Sequence, residues 1–134
     1  MATAIGKYLG GLRTEVQHLS SGQTFITDAP VDNKGKGEAF SPTDTVCAAL
    51  SSCMMTLMGI YADRENIDLS SLSSTITKHM ASDPRRISKI EIDFVWINPA
   101  ATDHQKELLK RTALTCPVAK SLHPDIEQLI TFNF

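Results

Sequence analysis

Residues 41–65, SPTDTVCAALSSCMMTLMGIYADRE, decide the fold because they predict one long helix with a marked start. Ser41 is a good N-cap, Pro42 suits the first helical position, and Asp44 places negative charge where the helix dipole favours it. No charged residue occurs in positions 45–61. A helix that is apolar nearly all round is buried on all sides. We therefore expect a central helix that runs from Pro42 to about residue 65.

The uncharged stretch is at the lower length limit for a membrane-spanning helix. It also contains Ser51, Ser52, Thr56 and Gly59, and charged residues follow it closely. We therefore predict the buried helix of a soluble protein and no membrane partner. Burying such a helix in a small domain requires sheets wrapped around it, a second subunit, or both, so we expect a homodimer.

The composition is typical of one soluble domain. The chain has 134 residues, of which 42% are hydrophobic and 21% charged, so we expect a single domain over residues 1–134. A net charge of −2 argues against a domain whose main function is nucleic-acid binding. Three cysteines are too few for a secreted disulfide scaffold, and the N-terminus does not resemble a signal peptide. These features predict a cytoplasmic protein.

Strands and one further helix flank the central helix. Residues 5–19 are typical of a strand interrupted at Gly10-Gly11, and Gln23–Asp28 is typical of a second strand, so we expect an N-terminal hairpin. The order ββ-α-ββ-α-β predicts an α+β domain with mostly antiparallel sheets around the long buried helix. The later elements are expected to be strands Leu72–Met80 and Ile87–Ile97, a helix from a Thr102 cap to about Thr115, and a last strand Ile126–Phe134.

Two of the three cysteines are candidates for chemistry. Cys53 lies in the middle of the predicted helix on an apolar stripe. Cys116 directly precedes Pro117 at a helix break, where the free N–H groups of the next turn can stabilise a thiolate. A buried cysteine can equally be an inert small hydrophobe, and the spacing alone leaves both interpretations open. Cys47 lies about 240° round the helix from Cys53 and is expected to be core filler.

Other common site motifs do not occur in the sequence. The four histidines are scattered, and neither C-x-x-C nor H-x-x-x-H spacing is present, so we predict no metal site. There is also no G-x-S-x-G nucleophile motif and no phosphate-binding glycine loop. We therefore expect no bound cofactor.

Two motifs resemble the OsmC/Ohr family, which comprises osmotically inducible protein C and the organic hydroperoxide resistance proteins. The first is SPTDTVCAALSSCMM at residues 41–55, and the second is Cys116-Pro117-Val118. Cys53 and Cys116 lie 63 positions apart, in agreement with the family, and the expected element order extends the resemblance over essentially the whole chain. The segments GGLRTEV, TDAPVDN and PRRI indicate a divergent branch.

The resemblance implies an intertwined homodimer with sites at the subunit interface, and a thiol peroxidase that acts on organic hydroperoxides. Cys53 would be the peroxidatic thiolate, which attacks the distal oxygen of the hydroperoxide and becomes a sulfenic acid. Cys116 would resolve this sulfenic acid as an intramolecular Cys53–Cys116 disulfide. An external dithiol would then reduce the disulfide by exchange.

The implied chemistry also needs a group that stabilises the thiolate, because burial in an apolar site raises the pKa of a thiol. In typical family members an Arg from the N-terminal strand has this role, and Arg13 is the best match; the other interpretation is a charge on the strand surface. The family's Glu that holds this Arg is replaced here by Thr43. Asp44, one residue later, could hold an Arg or could simply cap the helix.

The departure at Thr43 keeps two non-catalytic functions open. One is a dimeric module that binds a small apolar or electrophilic ligand at the interface. The other is a redox-sensing module, in which the Cys53–Cys116 disulfide changes the binding of a partner. Rapid consumption of hydroperoxide with a recycling dithiol would exclude the first, whereas stoichiometric oxidation with slow recycling is expected of the second.

Overall fold

The computed structural model describes all 134 residues, Met1–Phe134, as two compact units. The N-terminal unit is Met1–Val46 and the C-terminal unit is Cys47–Phe134. Each unit contains one three-stranded sheet, and the long central helix begins in the first unit and continues into the second. The α+β class predicted from the sequence is confirmed.

The N-terminal unit holds an antiparallel sheet with the strand order β1-β2-β3. The prediction of a single interrupted strand over residues 5–19 was wrong, because the chain reverses at the interruption. Gly10 and Gly11 have φ values of 83° and 61°, a region that glycine adopts readily and other residues rarely do. The expected two-stranded hairpin is therefore a three-stranded sheet of β1 (Ala4–Gly10), β2 (Arg13–His18) and β3 (Thr24–Asp28).

The central helix, α1, spans Pro42–Arg64, as predicted. At its start, the backbone N–H of Ser41 donates to Asp44 Oδ2 at 3.0 Å, and the backbone N–H of Asp44 donates to Ser41 Oγ at 3.1 Å. This reciprocal pair satisfies backbone donors that the first turn of a helix leaves free. Burial in the single chain is confined to one face, since Ile60 is 52% exposed. The buried face consists of Cys47, Leu50, Ser51, Met54, Met58, Tyr61 and Ala62.

The C-terminal unit places β5 at the centre of a sheet with the order β4-β5-β6. β4 pairs antiparallel with β5, whereas β6 pairs parallel with β5, so the pairing is mostly antiparallel, as predicted, with one parallel pair. The reason is the connection, because two helices between β5 and β6 carry the chain back to the end of the sheet where β5 began. The elements are β4 (Leu72–Ala81), β5 (Arg86–Trp96), α2 (Asp103–Ala113), α3 (Pro117–Ser121) and β6 (Glu127–Asn133).

The core of the C-terminal unit lies between the buried face of α1, the inner face of the sheet and α2. Along β5, alternate residues are buried, as the sequence predicts, and the ring of Phe94 stacks on that of Phe132 with their centroids 5.4 Å apart. Leu109 and Ala113 are the fully buried residues of α2. The buried residues of β5 are Ile90, Ile92, Phe94 and Trp96.

By length and composition alone, α1 could cross a membrane, a test that the core helix of a soluble protein also passes. In this structure Leu50, Met54 and Met58 of α1 are fully buried in the core of the C-terminal unit. One face of the helix therefore packs in a hydrophobic core.

Candidate functional site

The structure brings Cys53 and Cys116 together in the C-terminal unit. Cys53 lies in the middle of α1 and is partly exposed, whereas Cys116 is fully buried between α2 and α3. Both are free thiols, and the thiol of Cys53 lies near enough to Cys116 to help raise the pKa of Cys116. A neighbouring pair of thiols can pass between dithiol and disulfide states.

Cys116 is the N-cap of α3 and lies at the helix break that the sequence predicts. Pro117 occupies the first turn of α3, because proline suits a helix start and cannot continue α2. The backbone N–H of Ala119 donates to Cys116 Sγ at 3.4 Å. Burial, reinforced by the hydrogen bond with Cys53, raises the pKa of Cys116, and the N–H groups of Ala119 and Val118 oppose this rise. Cys116 therefore keeps its proton at neutral pH, but it has donors ready to stabilise a thiolate.

Cys47 has a different environment from the other two cysteines. It lies on the buried face of α1, is only 2% exposed and belongs to the hydrophobic core. This placement agrees with the prediction that Cys47 fills the core.

Arg13 lies in the N-terminal unit, on β2, where carboxylates hold its guanidinium group. Its Nε donates to Asp28 Oδ1 at 2.7 Å, and its Nη2 donates to Asp28 Oδ2 at 2.8 Å. Nη2 also donates to Glu38 Oε1 at 3.3 Å. The Arg13 side chain is 26% exposed and held in this ion pair.

Asp28 is the main partner of Arg13, and no sequence motif identifies it as such. It lies on β3, its side chain is fully buried, and it is the residue directly opposite Arg13 in the pairing of β2 with β3. This register could be found only by recognising the turn at Gly10-Gly11 that separates β1 from β2. Of the two roles left open for Asp44, the structure supports helix capping.

The stability of the N-terminal unit is expected to depend on pH through Asp28. The hydrogen bond from Arg13 lowers the pKa of Asp28 below its ordinary value of 3.8, although burial opposes this effect. A depressed pKa in the folded state contributes stability that is present above the ordinary value and is lost as the pH falls through the folded-state value. Asp28→Asn should therefore make the free energy of unfolding less dependent on pH in the acid range.

Urea unfolding at several pH values between about 2.5 and 6 measures this dependence. Glu38→Gln is the matched control, because exposed ion pairs contribute little to stability and its pH dependence should stay close to that of the wild type. Identical pH dependence in Asp28→Asn and the wild type would contradict the expectation.

The structure contains no group of three or more His, Cys, Asp or Glu residues that could hold a metal ion. The closest contact of a histidine with a carboxylate is that of His79 Nε2 with Glu91 Oε2, at 2.6 Å. Both side chains are partly exposed on the outer face of the second sheet.

Comparisons with known proteins agree with the fold and the motifs. The family described as OsmC-like protein matches residues 35–128. One similar crystal structure is that of a Psychrobacter arcticus 273-4 protein named for osmotic stress induction and detoxification response. Its sequence is 49% identical to this chain. The match covers 99% of this chain and 96% of that one, with a TM-score of 0.94.

More distant structures share the fold alone. The organic hydroperoxide resistance protein OsmC of Legionella pneumophila is 17% identical over 100% of this chain and 98% of its own, with a TM-score of 0.75. An OsmC-like protein of unknown function from Vibrio cholerae is 14% identical over 97% of this chain and 99% of its own, with a TM-score of 0.76. None of the curated proteins matches the chain.

The family match covers well over half of the residues and includes both Cys53 and Cys116. The identity to the Psychrobacter protein extends over nearly the whole length of both chains. The chain belongs to the OsmC-like protein family, the OsmC/Ohr family that its two cysteine motifs predict.

Proposed function

We propose that this protein is a thiol peroxidase that reduces organic hydroperoxides, with Cys53 as the nucleophile and Cys116 as the resolving thiol. The observation that carries the proposal is the neighbouring pair of free thiols, one partly exposed on α1 and the other buried at the start of α3. Some solved proteins with the same fold are named organic hydroperoxide resistance proteins, which supports an organic hydroperoxide as the substrate.

In the proposed reaction, the Cys53 thiolate attacks the distal oxygen of the hydroperoxide and the O–O bond breaks. The alcohol leaves with a proton, and Cys53 becomes a sulfenic acid. Cys116 then loses its proton and attacks the Cys53 sulfur, so that water leaves and a disulfide forms. An external dithiol returns two electrons by thiol–disulfide exchange, and no metal or organic cofactor is needed.

The different environments of the two thiols support this division of roles. Cys53 is partly exposed, so a substrate can reach its sulfur, whereas Cys116 is fully buried. The raised pKa of Cys116 keeps it protonated until a sulfenic acid appears beside it. The N–H of Ala119 can then stabilise the Cys116 thiolate as it forms.

Arg13 is the proposed cation that stabilises the Cys53 thiolate, as the family resemblance implies. Its hydrogen bonds to carboxylates use Nε and Nη2, which leaves the two hydrogens of Nη1 available to an anion. A guanidinium group stays charged at any physiological pH, so its contribution would not vary over the working range of the enzyme.

We also propose that the active protein is a cytoplasmic homodimer. Several large apolar side chains are exposed in the single chain, a pattern that marks interaction surfaces when such residues are contiguous. Burying them against a second copy would also cover the face of α1 that the single chain leaves exposed. The side chains include Tyr8, Phe25, Phe40 and Ile60, with exposures of 67%, 52%, 59% and 52%.

The experiment that tests the function is consumption of tert-butyl hydroperoxide by the reduced protein in excess dithiothreitol. The proposal predicts many turnovers per subunit, with loss of one dithiol for each hydroperoxide reduced. Consumption that stops after one equivalent would favour a redox-sensing module. No consumption beyond the rate of free dithiol would favour the ligand-binding module, which the departure at Thr43 keeps as the alternative.

A further inference from the structure

We infer that Gln128 is a positioning residue for the step in which Cys116 closes the disulfide, because its side chain anchors α3, the short helix that Cys116 caps. The inference rests on the proposed function, in which Cys116 is the resolving thiol. It assigns a role to a residue of β6 that belongs to neither of the two cysteine motifs. Gln128, α3 and both thiols all lie in the C-terminal unit.

The side chain of Gln128 makes a directional contact with α3. Its Nε2 donates to the carbonyl oxygen of Ala119 at 3.1 Å. The last four carbonyl groups of a helix have no partner within the helix, and the carbonyl of Ala119 is one of them because α3 ends at Ser121. Gln128 therefore satisfies a carbonyl group that the helical pattern leaves free, and in doing so it ties α3 to β6.

Ala119 also contacts the sulfur that would react. Its backbone N–H donates to Cys116 Sγ at 3.4 Å, and this hydrogen bond lowers the pKa of Cys116 against the effect of burial. One residue thus accepts the Gln128 amide at its carbonyl group and serves the thiol with its N–H. A movement of Ala119 away from β6 would therefore also change the direction of the N–H that supports the Cys116 thiolate.

The position of Gln128 on β6 explains why its amide reaches α3. Gln128 lies opposite Ile90 in the pairing of β6 with β5, and Ile90 is fully buried. Opposite residues of neighbouring strands project to the same side of a sheet, so Gln128 is on the inner face. Ile130, two residues further along this face, packs against the core. A polar side chain in such surroundings needs a hydrogen-bond partner, and the carbonyl oxygen of Ala119 supplies it.

The length of α3 makes an external anchor important. α3 has five residues, and a helix this short is not stable by itself in water. Val118 and Ala119 pack against the core, but apolar contacts are not directional. A hydrogen bond, in contrast, weakens steeply when its angle changes. We therefore expect Gln128 to hold the first turn of α3 in the orientation from which Cys116 attacks the Cys53 sulfur.

A purely structural role for Gln128 makes a different prediction. The loss of a structural contact would lower the free energy of unfolding and leave the reaction rates of the folded protein unchanged. If Gln128 positions α3, its loss slows the resolving step, whereas the preceding oxidation of Cys53 keeps its rate. The ratio of the two rate constants therefore separates the two roles.

The experiment compares the wild type with Gln128→Met and Glu127→Met. Methionine has about the length of glutamine and suits an inner face, but its side chain cannot donate a hydrogen bond. Glu127 provides the matched control because it is the preceding residue of β6, projects to the other side of the sheet and has a side chain that is 65% exposed.

Rapid mixing of each reduced protein with tert-butyl hydroperoxide, followed by quenching and intact mass measurement, gives the rate constant for oxidation of Cys53. Dimedone traps a sulfenic acid in competition with Cys116, so the trapped fraction measures the resolving step. We expect Gln128→Met to slow resolution about tenfold, since it loses one directing hydrogen bond, and to oxidise Cys53 within about twofold of the wild type. Glu127→Met should stay within about twofold in both steps.

The pH dependence of resolution gives a second readout that a structural role would not change. A displaced Ala119 N–H lowers the pKa of Cys116 less, so the rise of the resolution rate with pH should move to higher pH in Gln128→Met.

Gln128→Glu is a second variant for the case that Gln128→Met fails to fold, which circular dichroism and a thermal melt would reveal. Its carboxylate has the size of the amide, but it is ionised at neutral pH and has no hydrogen to donate to a carbonyl oxygen. It should slow resolution at least as much as Gln128→Met.

Each contrary result has a distinct meaning. Wild-type resolution in folded Gln128→Met or Gln128→Glu, or an equal slowing in Glu127→Met, would overturn the inference while the proposed reaction stands. An equal slowing of both steps in Gln128→Met would also overturn it, because the effect would then not be specific to Cys116. If the wild type forms no Cys53–Cys116 disulfide at all, the proposed function itself is overturned.

Discussion

Replacing Cys53 with serine is expected to abolish hydroperoxide turnover, with kcat/KM lowered by at least roughly a thousandfold. Serine has almost the same size as cysteine, so α1 should pack as before around a partly exposed position. Its hydroxyl group, however, does not ionise near neutral pH and cannot form the sulfenic acid from which the disulfide is made. The measurement is the rate of tert-butyl hydroperoxide loss in excess dithiol.

Cys47→Ala is the control for this substitution. Cys47 lies on the same helix but on the buried face, only 2% exposed, and the proposed reaction does not use it. The folded Cys47→Ala protein should retain its turnover within about twofold, since the sulfur of Cys47 takes no part in the proposed reaction. Retained activity in Cys53→Ser, or an equal loss in folded Cys47→Ala, would show that the nucleophile has been assigned to the wrong cysteine.

The second large effect is expected on stability, when Phe94 is replaced by alanine. Phe94 lies at the centre of β5, is fully buried and stacks on Phe132. Removing a buried phenylalanine ring leaves a cavity and costs about 3–5 kcal/mol of unfolding free energy. A loss of this size is a large fraction of the stability of a small domain. Urea unfolding followed by circular dichroism measures it.

Val95→Ala tests whether the loss depends on the face of β5. Val95 is the next residue along the strand, points to the opposite side of the sheet and is 40% exposed. Its truncation should cost under about 1 kcal/mol, as is usual for a partly exposed side chain. A loss as large as that of Phe94→Ala would mean that the two faces of β5 have been assigned incorrectly.

The elements that the sequence predicts best are those whose local signals agree with their packing. α1 has a capping residue, a proline and an uncharged apolar stretch, and the structure confirms both of its ends to within about one residue. The alternation of apolar residues in β5 likewise predicts its buried face. In β5, the pattern along the chain is sufficient because each residue's environment follows from the period of the strand.

The sequence is least informative where the structure depends on pairing between distant segments. The turn at Gly10-Gly11 interrupts one apolar pattern, and the pattern alone does not distinguish a bulge from a chain reversal. The parallel pairing of β6 depends on where the connecting helices leave the chain, which no local motif records.

The residues of the candidate site also differ in how well the sequence identifies them. Cys53 and Cys116 can be found from the motifs around them, and the structure brings the two thiols close enough for Cys53 to influence the pKa of Cys116. Asp28 gives no such signal, because its importance lies in the β2–β3 register that sets it opposite Arg13. Without that register, the candidate carboxylate is Asp44, which directly follows Thr43 and whose side chain helps to cap α1.

The most direct test of the proposed chemistry is the intact mass and free-thiol count of the reduced protein, before and after one equivalent of tert-butyl hydroperoxide. Before oxidation, all three cysteines of the chain are free thiols. We expect the chain to lose two hydrogens and two free thiols within seconds. Peptide mapping should then find a disulfide between Cys53 and Cys116, with Cys47 still reduced. If all three thiols persist unchanged, Cys53 is not an activated nucleophile, and the peroxidase account is contradicted.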